Sequence, residues 1–296
     1  MRLVAAACLG ALGVAACDPQ RVEESAVETF RFDAATERPR IEVRIEEGDV
    51  EIQGVEDLGR IEAEFRKRAR SVDRETASGL LPRIEVRAFD TDGGARFRFE
   101  GRVEAIPPFG GNLRTDLVLR VPTGVELEVA TGDGRIRIEG IEGRVRAESG
   151  DGRIFVERCR GELRLRSEDG SIVGREIEGK TEATTDDGEI DLEGTFPRLE
   201  ATTSDGSIAV DAREWPAAME GWVVRTGDGA IRALLPASAT GDIDATVSDG
   251  RIVNRLASFD GAAADEGDRR LRGKLGGGGA LLLFSTMDGR IELAQR

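Results

Sequence analysis

From about residue 39 onward, apolar and polar residues alternate with period two over short stretches, and between Asp133 and Asp205 the pattern restarts every 18 residues. Asp-Gly pairs mark the restart at 133, 151, 169, 187 and 205, with looser copies at 228, 249 and 288. Three residues after each Asp stands Ile: Ile136, Ile154, Ile172, Ile190, Ile208, Ile231, Ile252 and Ile291. Two before it stands Ser or Thr (Thr131, Ser149, Ser167, Thr185, Thr203, Thr226, Thr286), with Val247 the exception. Four before it the residue is always apolar, from Val129 and Ala147 to Phe284. Six before it a large apolar residue is usual, as at Leu127, Leu163, Leu199 and Trp222, with Thr181 the outlier. The columns between carry charge, as at Glu128, Arg146, Arg164, Glu182 and Glu200. Alternation of this kind predicts strands with one dry and one wet face.

Asp-Gly supplies the turn, since Gly tolerates positive φ and Asp can bond its own backbone two residues on. An antiparallel meander of Asp-Gly hairpins would satisfy the alternation. Only parallel stacking explains why residue identity, Ile on Ile and Thr on Ser, is kept from repeat to repeat. The expected fold is therefore all-β, a parallel β-solenoid with coils of 18 residues. Eighteen extended residues trace a circumference of roughly 60 Å, which flattened leaves room for side chains only. Function is then expected on the outside.

The expected organisation is a leader at 1–16, a lipidated Cys17 and polar tether at 17–38, and an N-terminal capping coil with insertions at 39–125. Regular repeats fill 126–255, and a Gly-rich insertion with a last coil fills 256–296. Within the capping region, Glu47-Gly48 imitates Asp-Gly. The stretch 66–112 reads as an insertion with a short helix over Asp73–Leu80, strands near Ile84–Phe89 and Arg96–Glu100, and a Pro107-Pro108 loop. Atypical end units are expected because a stack has open edges.

Arg2, the apolar run Leu3–Ala16 and the sequence Val14-Ala15-Ala16-Cys17 predict a bacterial lipoprotein leader with Cys17 as the lipidated residue. Each buried CH₂ contributes about 0.8 kcal/mol, so several acyl chains anchor stably where one does not. Beyond Cys8 and Cys17 only Cys159 remains, which excludes an intramolecular disulfide and reads as a small space-filler. The net charge of −15 argues against nucleic acid as a partner.

The chain has no His and no Tyr, which removes the commonest general base and metal ligand and excludes Ser-His-Asp and Cys-His chemistry. Gly276–Gly279 lacks the Lys-Ser/Thr of a phosphate loop. No catalytic, cofactor or metal residues are therefore assigned. Stacked turn aspartates (Asp133, Asp151, Asp169, Asp187, Asp205) would repel one another by roughly 0.9 kcal/mol per neighbour in water, which calcium could relieve. Arg135, Arg153 and Arg251 offer local counter-charge.

The sequences Val50-Glu51-Ile52-Gln53-Gly54, Leu119-Arg120-Val121-Pro122 with Gly124-Val125, the Asp-Gly-x-Ile repeats, and Gly273-Lys274-Leu275 running through four glycines to Thr286-Met287-Asp288-Gly289 resemble the bacterial adhesin-type β-strand-repeat family. The resemblance covers about residues 38–296. It implies a β-solenoid at the cell envelope and brings no catalytic residues. The resulting expectation is a non-catalytic envelope lipoprotein, periplasmic or surface-facing and held to the membrane at Cys17. It would act as an adhesin-like or scaffolding module toward an envelope protein or glycan, with envelope-stress sensing one form of that role. The alternative is a calcium-stabilised or polysaccharide-active β-helix surface. The working surface is expected on the Arg and Glu columns, with ladders such as Glu128–Arg146 and Arg164–Glu182, or on the insertion at 66–112.

Overall fold

The structure, a computed structural model, describes residues 21–104, 111–261 and 269–296. The leader, Cys17 and the Pro107-Pro108 loop lie outside the described residues. The chain is all-β and divides into two compact units, one ending at Gly143 and one spanning Arg144–Arg296.

The N-terminal unit contains β1 (Val22–Asp33), β2 (Arg40–Ile45), β3 (Val50–Val55), β4 (Arg60–Ser71), α1 (Arg74–Leu80), β5 (Ile84–Asp90), β6 (Arg96–Val103), β7 (Asn112–Pro122), β8 (Glu126–Thr131) and β9 (Ile136–Glu139). Two parallel ladders organise it. In the first, β2 lies between β6 and β8, aligning Phe97, Ile41 and Leu127, then Phe99, Val43 and Val129. In the second, β3 lies between β7 and β9, aligning Leu117, Val50 and Ile136, then Leu119, Ile52 and Ile138. All of these side chains are buried.

The stretch 66–112 is thus not wholly an insertion: its strand β6 joins β7 to form a full repeat, placed on the far side of β2 and β3 from β8 and β9. Antiparallel strands cover its outer edge, β5 along β6 and β4 along β7, with β1 along β4. The helix starts where expected. Asp73 caps it by accepting from Thr76 N at 2.8 Å, and Ala77 and Leu80 are buried. Residues 22–33, expected to be tether, are strand β1. Its Glu-rich composition hides an alternation that turns Phe30 and Phe32 onto Phe65, Phe97 and Phe99, with ring centroids 5.6–6.1 Å apart.

The C-terminal unit contains β10 (Glu142–Ser149), β11 (Ile154–Glu157), β12 (Arg160–Ser167), β13 (Ile172–Thr185), β14 (Ile190–Thr195), β15 (Arg198–Thr203), β16 (Ile208–Ala212), β17 (Gly221–Asp228), β18 (Ile231–Leu235), β19 (Gly241–Arg255), β20 (Phe259–Gly261), β21 (Arg270–Leu275) and β22 (Leu281–Gln295). Successive repeats pair in parallel: Ile154 with Ile172, Ile172 with Ile190, Ile190 with Ile208, and Ile208 with Ile231. The companion ladder aligns Leu163 with Thr181, Thr181 with Leu199, and Leu199 with Trp222. The repeats are therefore not joined as Asp-Gly hairpins.

The last strand is displaced from chain order. Ile231 pairs with Ile291, and Ile291 pairs with Ile252, so β22 is inserted between β17–β18 and β19. Phe284 fits there because its neighbours in register are the smaller Val224 and Ala245. Antiparallel β21 covers β19.

The Ser/Thr column has a specific task. Thr185 Oγ1 donates to Gly170 O at 3.0 Å in the preceding repeat and accepts from Gly188 N at 3.3 Å in its own turn. Ser167 donates to Gly152 O at 3.2 Å and accepts from Gly170 N at 3.0 Å, and Thr203 donates to Gly188 O at 3.1 Å. The hydroxyls thus satisfy turn carbonyls and amides that are shut away from water. The turn glycines also serve differently than expected. Gly170, Gly188 and Gly206 do not have positive φ; a Cβ on any of them would collide with the carbonyl of the turn glycine one repeat earlier. Close backbone approach, not left-handed geometry, demands Gly there.

Two threonines four residues apart should answer the same substitution with opposite signs. Thr185→Val strands a buried carbonyl and amide and should destabilise by about 1–3 kcal/mol. Thr181 is buried but its hydroxyl has no partner, so Thr181→Val should stabilise by about 1 kcal/mol. Gly188→Ala should cost about 1–3 kcal/mol through backbone displacement. Urea midpoints of the three variants check all three signs.

Candidate interaction surface

Because the inward columns are filled, ionic side chains are pushed to the outer faces. In the C-terminal unit, the register that stacks Leu163 on Thr181 also sets Arg160 beside Glu178, Glu162 beside Lys180, Arg164 beside Glu182, and Glu182 beside Glu200. Ion pairs follow: Arg160–Glu178 at 2.7 Å, Arg164–Glu182 at 3.5 Å, Arg164–Glu162 at 3.3 Å and Lys180–Glu220 at 2.7 Å. The Arg164–Glu182 ladder is thus present. Glu128 takes Arg40 at 3.0 Å, and Arg146 takes Glu148 at 2.6 Å. A shallow groove of about 100 Å³ runs among Glu162, Arg164, Lys180, Glu182, Arg198 and Glu200. Arg164 and Glu182 are each more than half exposed, so their pairing adds little stability. The face is a patterned, solvated surface and not a device that holds the fold together.

The turn aspartates Asp151, Asp169, Asp187 and Asp205 are all exposed. Among the described residues, no group of three or more His, Cys, Asp or Glu is arranged to hold a metal ion. The arginines two residues on do not pair with their own turn aspartates. Arg153 instead donates to Ser171 Oγ at 2.8 Å, in the next repeat. Cys159 is buried, its thiol 3.4 Å from Glu157 O.

The 66–112 region contributes a different face. Outward residues of β1, β4 and β7 lie in rows: Arg31, Glu62 and Arg120; Thr29, Glu64 and Val118; Val27, Arg66 and Asp116; Ser25, Arg68 and Arg114; Glu23, Arg70 and Asn112. The first row is balanced. A hydrogen bond from Arg60, helped by the charges of Arg60, Arg31 and Arg120, holds the Glu62 carboxyl below its usual range against a smaller effect of burial. Toward the other end the rows become basic. Beside the middle rows a hollow of about 300 Å³ is lined by Asp49, Glu64, Arg66, Asp116, Arg135 and Arg137, among others.

Column signals that periodicity alone did not single out include Gly143, Gly161 and Gly179, again 18 apart. A Cβ on Gly179 would strike Gly161 O. The corner residues Gly140, Arg158 and Glu176 all adopt left-handed φ (71°, 49° and 51°), and only the first has the residue type that announces it.

The turn column carries real electrostatic strain at one position. Burial, then the charge of Asp133, push the Glu47 carboxyl above its usual range; Arg114 opposes this and Glu46 adds to it. A raised carboxyl pKa means the fold prefers the protonated form, so ionised Glu47 weakens the fold at neutral pH and the loss is relieved as pH falls through the folded pKa. Glu47→Gln should therefore raise the melting temperature at pH 7, with the gain shrinking toward pH 4 in a calorimetric series.

Comparison with curated proteins finds no match. Among solved structures the chain is similar to a candidate cell-adhesion protein from Clostridium sporogenes, at 12% identity over 92% of this chain and 100% of that one, with a TM-score of 0.28. It is also similar to a candidate adhesin from Bacteroides fragilis (11% identity, 91% and 97% coverage, TM-score 0.45). A candidate lipid-binding protein from Parabacteroides distasonis matches at 14% identity, 90% and 96% coverage and a TM-score of 0.44. Residues 36–293, which hold every repeat described above, match the sequence profile of one family throughout, and the chain belongs to that family, Toastrack DUF4097.

Proposed function

We propose that this protein is a non-catalytic, lipid-anchored module of the bacterial cell envelope. Its parallel repeats wind as a β-solenoid, and its outer strand faces bind another envelope protein or a glycan, as an adhesin or scaffold does. The observation that carries the reading is the division of labour between columns. Inward positions are mostly Ile, Leu and Ala, with the Ser and Thr of the turn column committing their hydroxyls to backbone. Outward positions hold Arg, Lys and Glu in rows set by strand spacing, about 4.8 Å apart. Such rows offer a partner a regular series of exchangeable ion pairs, which governs specificity and encounter more than raw affinity. The winding is supported by each repeat giving one strand to each of two parallel ladders. Anchoring is supported by Val14-Ala15-Ala16-Cys17 behind an apolar run. Sensing of envelope damage beside a regulatory partner is one form of the same role.

The test uses the full chain expressed in a bacterial host fed labelled fatty acid. Wild type should carry label and fractionate with membranes, and Cys17→Ala should do neither. Arg164→Glu/Lys180→Glu should lower capture of the cross-linked envelope partner or arrayed glycan at least tenfold while the melting temperature stays put. Unlabelled wild type would remove the anchor. Undiminished capture by the charge-reversed chain would remove the proposed face.

A further inference from the structure

The basic end of the β1–β4–β7 face forms a site of its own. A cleft of about 310 Å³ is lined by Arg21, Glu23, Arg68, Arg70, Asn112 and Arg114. The chain as a whole carries a net charge of −15, so four arginines around one small volume run against its composition. Register forces them together, because Arg68 stands directly opposite Arg114 and Arg70 directly opposite Asn112. Like charges directly opposite destabilise a sheet unless something neutralises them.

The protein neutralises only part of the cluster. Arg68 is paired with Asp116, and Arg114 with Asp49 at 3.2 Å. Both nevertheless keep a buried Nε with no hydrogen-bond partner. Arg21 and Arg70 have no ion pair among the described residues. Four guanidinium groups thus line one cleft, two of them with no ion pair among the described residues, and guanidinium forks match the geometry of phosphate oxygens.

The position of the cleft in the chain selects the source of phosphate. It lies where β4 ends and β7 and β1 begin, and Arg21 follows Cys17 by four residues. Four extended residues span at most about 14 Å. A chain tethered at Cys17 therefore keeps this cleft within reach of the bilayer surface. We propose that the Arg21–Arg68–Arg70–Arg114 cleft binds the phosphate of an anionic glycerophospholipid headgroup, orienting the protein on the membrane that anchors it. The cleft rests on the anchored reading only for the source of its ligand; its chemistry is that of a phosphate oxyanion.

The experiment places the full chain on nanodiscs of pure phosphatidylcholine and on nanodiscs containing phosphatidylglycerol, and follows hydrogen exchange over residues 66–71 and 112–116. An anchored chain loads both kinds of disc, so the anchor and the cleft are read separately. Phosphatidylglycerol should slow exchange in these segments about tenfold, and raised salt should reverse the effect. Arg21→Gln/Arg70→Gln, which breaks no ion pair, should abolish the protection with an unchanged melting temperature, while Arg198→Gln in the other unit should leave it intact. Equal exchange on the two discs overturns the proposal. Equal protection by inorganic phosphate or glycerol phosphate at matched concentration also overturns it, in favour of a soluble ligand. A chain that fails to load phosphatidylcholine discs yet is protected on phosphatidylglycerol removes the anchor and supports the cleft.

Discussion

The structure depends on how closely consecutive turns stack. Backbone lies on backbone with no room for a Cβ at Gly170, Gly188 or Gly206, and the carbonyls trapped there are satisfied by one hydroxyl per repeat. A buried unpaired carbonyl or amide costs more than a formed hydrogen bond contributes. The Ser/Thr column and the Gly column are therefore one feature: the glycine permits the approach, and the hydroxyl makes the approach tolerable. The last two strands depart from this tight turn whether or not the hydroxyl is present: β19, with Val247, and β22, with Thr286, both run on through the turn position, paired Asp249 to Asp288 and Gly250 to Gly289, and these two glycines take φ of 138° and 149°.

Parallel ladders leave unpaired edges, and each unit deals with its own in the same way. An antiparallel strand is laid along the outermost repeat, β4 and β5 in one case and β21 in the other. In both units the chain also departs from sequential order. The repeat formed by β6 and β7 sits outside the earlier β2 and β3, and the terminal β22 is slotted inside β19. Inserting β22 between β17–β18 and β19 gives Phe284 its niche. Exposed strand edges invite pairing with other chains, and here the edge positions pass to the antiparallel strands β1 and β5, each paired on one side among the described residues.

The regular repeats were legible because each column is constrained by two neighbours at once: Ile must match Ile above and below, and the constraint writes itself into the sequence at a fixed interval. What was not legible lacks that double constraint. Strand β1 is paired on one side, and only Phe30 and Phe32 betray its inward face beneath a Glu-rich surface. The repeat of β6 and β7 carries no Asp-Gly marker, so Phe97-x-Phe99 and Leu117-x-Leu119 read as isolated strands although they complete both ladders. The insertion of β22 was hidden for another reason. Its columns agree equally well with either neighbour, and periodicity fixes register without fixing order. The basic cleft belongs to the same class, since Arg68 and Arg114 are brought together only by the antiparallel pairing of β4 with β7.

Register in such a fold is chosen by the interior. A slip of one residue would turn every Ile outward, so the outer faces inherit whatever neighbours the inner columns dictate. Some inherited neighbours are favourable, as in Arg160 beside Glu178. Others are not: Glu182 lies opposite Glu200, Glu47 feels Asp133, and Arg68 faces Arg114. In a fold whose interior is committed to packing and to backbone hydrogen bonds, a bound counter-charge would relieve these unfavourable outer pairs. A ligand that neutralises an enforced repulsion contributes its own contacts and also removes a penalty that the free protein carries. The proposed headgroup cleft would draw on one such enforced like-charge pair, whereas the proposed Arg and Glu face would offer a partner ready-made pairs to exchange for its own.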